Sequence, residues 1–160
     1  MRVLCAAFLG LLYSPALAQF QSAPSGPDRN YLEQLKGTEL RDAYLGQTLD
    51  LVYNNVGFAG IAHHTETHNA DGTTDYDEGG MTLDGEWTLI GPPGFEDRIC
   101  YRYAELDPNR KHCFWIFREG KCLYGYSAGW FPTVKSIRPE LWRVKGANRE
   151  DGPSCDIFVS

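Results

Sequence analysis

The densest chemistry in the chain lies between His63 and Glu78, where His63-His64-Thr65-Glu66-Thr67-His68 runs on into Asn69-Ala70-Asp71-Gly72-Thr73-Thr74-Asp75-Tyr76-Asp77-Glu78. Imidazole nitrogens and carboxylate oxygens are the ligands zinc and copper take, and three of the 4 histidines fall in this stretch. Asp71-Gly72 is a strong hairpin signal. As the centre of a two-residue turn it sets His68 opposite Asp75, Glu66 opposite Asp77 and His64 opposite Gly79. Side chains alternate along strands, so His64, Glu66, His68, Asp75 and Asp77 then share one face. That face is the expected zinc or copper site, a cross-strand Asp orienting a histidine. The competing and preferred reading is a polar hairpin projecting into water, since His63, Thr65, Thr67, Thr74, Tyr76 and Glu78 make the other face mostly polar too. Calcium fits poorly: the Gly comes too early for an EF-hand, and no acid closes the loop at the twelfth position.

A second place is Tyr124-Gly125-Tyr126-Ser127-Ala128-Gly129-Trp130-Phe131-Pro132. Small residues between large rings leave room for a ligand-binding cleft walled by Tyr124, Tyr126, Trp130 and Phe131, suited to a sugar or an apolar ligand in a barrel mouth. Core packing followed by a turn explains the same pattern and is preferred. Catalytic constellations are thin. Ser127 has no nucleophile-elbow context. His112 and Cys113 are neighbours on a strand and point to opposite faces, so they form no Cys-His dyad. His64-x-x-x-His68 lacks the Glu that a metalloprotease helix carries after its first His, and its setting reads as strand. No catalytic residue is assigned.

The elements that must position these groups are strands. From Thr48 onward, short β-branched and aromatic runs alternate with turn signals: Thr48 to Asn54, Phe58 to Asn69, Thr73 to Leu83, Glu86 to Ile90, Arg98 to Ala104, His112 to Phe117, Cys122 to Ser127, Leu141 to Lys145 and Cys155 to Val159. Gly91-Pro92-Pro93-Gly94 forbids regular structure between the fourth and fifth. Ahead of them, Tyr31, Leu32, Leu35, Leu40 and Tyr44 recur at roughly helical spacing, predicting one short amphipathic helix over 29–44, interrupted at Gly37. The fold class is mainly β: a small antiparallel meander barrel or sandwich of about 8–9 strands, preceded by that helix. It is one domain over 29–160, with no internal repeat.

Four cysteines lie in that domain: Cys100, Cys113, Cys122 and Cys155. An even count without Cys-x-x-Cys spacing reads as two disulfides, for which three connectivities exist. The favoured one joins Cys100 to Cys113 across a hairpin and Cys122 to Cys155, tying down the terminal strand.

Gly46-Gln47-Thr48, Asp71-Gly72-Thr73, Gly85-Glu86-Trp87, Cys100-Tyr101 and Cys113-Phe114 together resemble an exported, mostly alphaproteobacterial family of unknown function. The resemblance covers most of Tyr44 to Phe117. It implies an exported bacterial domain and brings no catalytic residues with it.

The amino end predicts the same destination. Arg2 precedes an apolar run from Val3 to Tyr13, and Ser14-Pro15 leads into Ala16-Leu17-Ala18, a small-x-small cleavage site. The run is about half the roughly twenty residues that cross a bilayer, so 1–18 reads as a removable signal peptide and the mature chain is expected to carry no transmembrane segment. Residues 19–28, rich in Ser, Pro, Gly and Gln, read as a flexible leader. Cleavage after Ala18 removes Arg2 and no acid, which takes the formal charge from -6 to about -7. An acidic chain without a basic stripe is a poor nucleic-acid partner. The expectation is a periplasmic or secreted, non-enzymatic domain that binds or supports an envelope protein or small ligand. A zinc or copper protein using the His-rich hairpin is the alternative, and a small hydrolase comes behind it.

Overall fold

Burial that alternates residue by residue marks β4 (Thr73–Glu78) as one wall of an interior, with Thr74 and Tyr76 buried and Thr73, Asp75 and Asp77 exposed. The structure, a computed structural model, describes residues 32–54, 61–152 and Cys155. The expected signal peptide and leader lie outside these residues, as does all of the last expected strand except Cys155, which sits in a bend. The other strands are β1 (Glu33–Gln34), β2 (Thr48–Asn54), β3 (Ile61–His68), β5 (Met81–Ile90), β6 (Arg98–Arg102), β7 (His112–Glu119), β8 (Cys122–Ser127) and β9 (Val144–Asn148). Each from β2 to β9 pairs antiparallel with the next, and β9 returns to pair with β2, closing an 8-stranded meander barrel. Closure leaves those eight strands no sheet edge. β1 adds to β7 beyond the end of β6, with Gln34 opposite Phe117.

Three expectations are corrected. The amphipathic helix shrinks to α1 (Gly37–Asp42), because Glu33–Gln34 pairs with β7 and Leu35 N–H donates to Ile116 O at 2.9 Å; residues 29–31 lie outside the described residues. The run from Thr73 to Leu83 is two strands. Gly79 and Gly80, at φ 61° and 93°, form the two-residue turn that needs left-handed backbone at both positions, and Glu78 faces Met81 across it. The strand expected at Leu141 to Lys145 is displaced to Val144–Asn148, after a 3-10 turn at Pro139–Leu141.

Two cores explain why β7 and β8 read as nearly continuous apolar runs. Inside the barrel, Leu49, Leu51, Tyr76, Leu83, Ile99 and Ile116 pack together, with Leu40 of α1 and Tyr44 joining them. On the outer face of β7, β8, β9 and β2, Trp115, Tyr124, Tyr126 and Ala147 are covered by the 128–143 segment, which brings Phe131, Ile137 and Trp142. Disulfides join Cys100 to Cys113 across the β6–β7 hairpin and Cys122 to Cys155 beneath this cover.

Candidate functional site

The β3–β4 hairpin decides which polar side chains meet. Asn69 N–H donates to Thr73 O at 2.9 Å and Gly72 N–H to Asn69 O at 3.1 Å, which closes a loop one residue longer than a two-residue turn. Gly72, at φ 88°, occupies the left-handed position that a three-residue hairpin loop needs at its end. The Asp71 carboxylate accepts from Thr73 N–H at 3.0 Å and Oγ1–H at 2.7 Å and pins the bend.

That extra residue moves the pairing by one. Thr67, not His68, faces Asp75, and Thr65, not Glu66, faces Asp77. A slip of one residue turns a strand's side chains to the opposite face. Asp75 and Asp77 are therefore exposed outside the barrel, while His64, Glu66 and His68 are buried within it. The structure does not bring the five expected ligands together, and among the described residues no group of three or more His, Cys, Asp or Glu is placed to hold a metal ion. The hairpin is not a projection polar on both faces either, since one face is barrel core.

What the register assembles instead is a buried acid beside a buried base. Glu66, 3% exposed, accepts from the Tyr103 hydroxyl and from Thr74 Oγ1–H at 3.1 Å. Burial pushes its carboxyl up to about 7, against the lowering effect of those two hydrogen bonds. His68 lies 2.8 Å from the Tyr101 hydroxyl through Nε2, and the same nitrogen is 4.0 Å from the Glu66 carboxylate. Burial pushes its imidazole down to about 4, while the ring meets Tyr44 and Trp87 edge-on at 4.9 and 5.6 Å. His64 stacks between Tyr53 and Tyr76 at 4.4 and 4.8 Å. The order found in water is inverted: here the acid keeps its proton to a higher pH than the imidazole takes one. Burial also raises the hydroxyls of Tyr44, Tyr53, Tyr76, Tyr101 and Tyr103, so none supplies a neutralising charge.

The aromatic stretch on β8 packs into the outer core. Tyr124, Tyr126 and Phe131 are buried there, Trp115 Nε1–H donates to Phe131 O at 2.9 Å, and the Tyr126 hydroxyl donates to Pro139 O at 3.0 Å. Trp130 stands apart, 56% exposed, with the Arg143 guanidinium 5.6 Å from its ring. Three of the four rings thus face the outer core and Trp130 faces solvent. Cys113 is in a disulfide and so offers no thiol to His112.

Open surface relief lies around the hairpin turn. Two clefts of about 460 and 500 Å³ flank it and share Asp71, Gly72, Trp87 and Thr88. One crosses β5 and β6, where the Glu86–Arg102 ion pair at 2.5 Å and Lys111 line it above Tyr101. The other runs towards α1 and the loop after β5, where Arg41, Leu45, Leu89 and Glu96 line it. Gly37 N–H donates to Glu96 O at 2.7 Å and Arg41 Nη2–H to Glu96 Oε1 at 3.2 Å, so the helix and that loop hold each other in place. Trp87 Nε1–H donates to Asn69 O at 3.0 Å, which fixes the indole beneath both clefts.

Set against known proteins, the chain matches no family model, no curated protein and no solved structure. Sequence reasoning missed Arg41, Trp87 and Glu96 as site residues. Gly85-Glu86-Trp87 carried a resemblance but no chemistry, and Glu96 follows a Gly-Pro-Pro-Gly loop whose fold-back onto α1 depends on a contact distant in sequence. The Asp-Gly signal marked the right turn with the wrong loop length.

Proposed function

We propose that this is an exported, non-enzymatic binding or accessory domain of the bacterial cell envelope, whose partner is an envelope protein or a small ligand. The observation that carries the binding reading is the two-lobed groove astride the 70–73 turn, each lobe of a size that takes a small molecule. Export is supported by the Arg2 to Ala18 pattern and by the two cysteine pairs, since disulfides persist in oxidising compartments. Among the described residues no helix is long and apolar enough to cross a membrane.

The non-enzymatic reading is supported by the burial of Glu66. A carboxyl poised near neutrality is what a general acid or base needs, and here it is sealed inside the barrel and occupied by Tyr103 and Thr74. A substrate would have no contact with it. Fractionation with mapping of the mature amino terminus tests export: the chain should begin at Gln19 outside the cytoplasm with all four remaining cysteines oxidised. A cytosolic product retaining residues 1–18, with reduced thiols, sinks that reading. Crosslinking from the exposed Thr88 position in intact envelopes should trap a partner or ligand. Hydrolytic turnover by the purified mature chain that is lost on His112→Ala or Ser127→Ala would replace it with the hydrolase reading.

A further inference from the structure

Strands in the meander alternate in direction, so β2 and β8 end, and β7 and β9 begin, at the end of the barrel opposite the 70–73 turn. Arg143 sits there, one residue before β9, and it is a cation without a counter-charge. Its N–H donates to Gly125 O at 2.8 Å and its carbonyl accepts from Asn54 N–H at 2.9 Å, which fixes its backbone to β8 and β2. Its side chain is fixed too: Nη1–H donates to Asn54 O at 3.0 Å, and the guanidinium lies 5.7 Å from the Tyr53 ring and 5.6 Å from that of Trp130. Among the described residues every other arginine except Arg110 pairs with a carboxylate, from Arg41 with Glu96 to Arg149 with Asp50. In a chain of formal charge -6 acids are plentiful, yet none is placed against this half-buried guanidinium. Arg110 belongs to the same end, for the charges of both arginines act on His112 at the start of β7. Burial, then Arg110 and Arg143, hold that imidazole below its ordinary value, against the opposing pull of Asp107.

Trp130 supplies an independent pointer. Its own N–H and that of Phe131 donate to Ser127 O at 3.0 Å, and Phe131 O accepts from Trp115 Nε1–H at 2.9 Å, so the backbone that presents the indole is pinned on both sides. Ala128 N–H donates to Cys113 O at 2.8 Å, which holds this turn against the start of β7. The indole itself is 56% exposed. A fixed guanidinium beside a fixed, wetted indole needs little ordering on binding, and offers a donor fork to an anion and an apolar face to a ring. Donor geometry decides which anion. Asn54 takes one N–H of Arg143, and the rest still include an edge of two parallel donors, the match for the two oxygens of a carboxylate. A phosphate brings a third oxygen and further charge that one fork leaves unmet, and an extended polyanion is repelled by the net negative charge of the chain.

We propose that Arg143 and Trp130 form a binding site for a small carboxylate borne on a ring, the carboxylate on the Arg143 fork and the ring against the exposed part of the indole. The site is remote from the clefts at the 70–73 turn and goes beyond the reading drawn from them, so its failure leaves that reading standing. The test is a titration of the oxidised, nitrogen-15-labelled chain lacking residues 1–18 with benzoate and with galacturonate, which carry the carboxylate on an aromatic and on a sugar ring. Acetate, inorganic phosphate, benzyl alcohol and methyl galactoside are the controls. Benzoate, galacturonate or both should shift the Trp130 indole N–H saturably and bind about tenfold more tightly than any control. The bound anion should also raise the titration midpoint of His112. Trp130→Ala, at an exposed position, and Arg143→Lys, which keeps the charge and removes the fork, should each weaken binding about tenfold. Arg143→Gln should abolish it and by itself raise the His112 midpoint; the first two variants carry the test if this one does not fold. The proposal is overturned if neither ring-borne carboxylate moves the Trp130 resonance or if any control binds as tightly. It is equally overturned if Trp130→Ala or Arg143→Lys leaves the affinity unchanged.

Discussion

At the scale of single residues, Glu66 and His68 contribute opposite slopes to stability over the same span of pH. Glu66 has a folded value near 7 against 4.5 unfolded, so the folded state binds its proton more tightly and stability from this group is lost as pH rises from about 4.5 through 7. His68 has a folded value near 4 against 6.5 unfolded, so the unfolded state binds the proton more tightly and stability is gained as pH rises from about 4 to 6.5. Each shift corresponds to about 3 kcal/mol. Facing the pair are His64 on β3, Tyr76 and Glu78 on β4, Tyr101 on β6 with Tyr103 after it, Tyr53 on β2 and Tyr44 after α1. The buried tyrosines stay neutral throughout. Urea melts of the wild type should therefore be nearly level between pH 4.5 and 6.5 as far as this pair is concerned. Glu66→Gln should expose the histidine's slope, with stability rising by about 2 kcal/mol across that interval, and His68→Gln the carboxyl's slope, with stability falling by a similar amount. Parallel profiles in the two variants would rule out this compensation.

At the scale of elements, a single turn residue decides the site. Inserting one alanine between Thr73 and Thr74 keeps the 70–72 loop and moves every later β4 residue by one, so that Asp75 would face Glu66 and Asp77 His64, both inside the barrel. Burying a carboxylate without a partner costs several kcal/mol, so this variant should unfold at much lower urea. Gly72→Ala keeps the loop length and only forces alanine to φ 88°, at a cost of about 1–2 kcal/mol. Equal urea midpoints for the two variants would refute the register argument. The sequence-level view of β2 and β8 was good because Gly46 and Asn54 bracket one and Gly120 and Gly129 the other, with alternating or dense apolar residues between. It was poor wherever a local pattern had two solutions. Leu32, Leu35, Leu40 and Tyr44 carry helical spacing, yet Leu35 is buried beside a strand pairing that depends on β7, far along the chain. Asp-Gly suits a two-residue loop and equally the end of a three-residue one, and only the tertiary structure selects between them. The barrel was legible, its chemistry was not: side-chain facing depends on that one residue, and the groove depends on Glu96 meeting α1.

At the scale of the whole molecule, closure is the expensive step, since β9 must dock between β8 and β2 and Arg149 reaches Asp50, 99 residues away, at 2.6 Å. Contacts so distant in sequence form after local hairpins, because the loop entropy must be met first. The two disulfides sit on opposite sides of that divide. Cys100 and Cys113 face each other within one hairpin at a separation of 13, so their bond needs only β6 and β7. Cys122 and Cys155, at a separation of 33, meet when β9 is in place and Trp142, Ile137 and Phe131 have covered the outer core. During refolding of the reduced chain lacking residues 1–18 with thiol trapping, the first bond should therefore appear well before the second. The later bond should matter more once made, because constraining a loop of that length stabilises by about 4 kcal/mol against about 3 for the hairpin. Cys155→Ser should thus lower the unfolding free energy more than Cys113→Ser, and Trp142→Ala should slow formation of the Cys122–Cys155 bond while leaving the hairpin bond's rate unchanged. If the Cys122–Cys155 bond is trapped first, or forms at the same rate without Trp142, the outer core does not guide closure and the barrel must seal by a route that the β7–β8–β9 packing does not dictate.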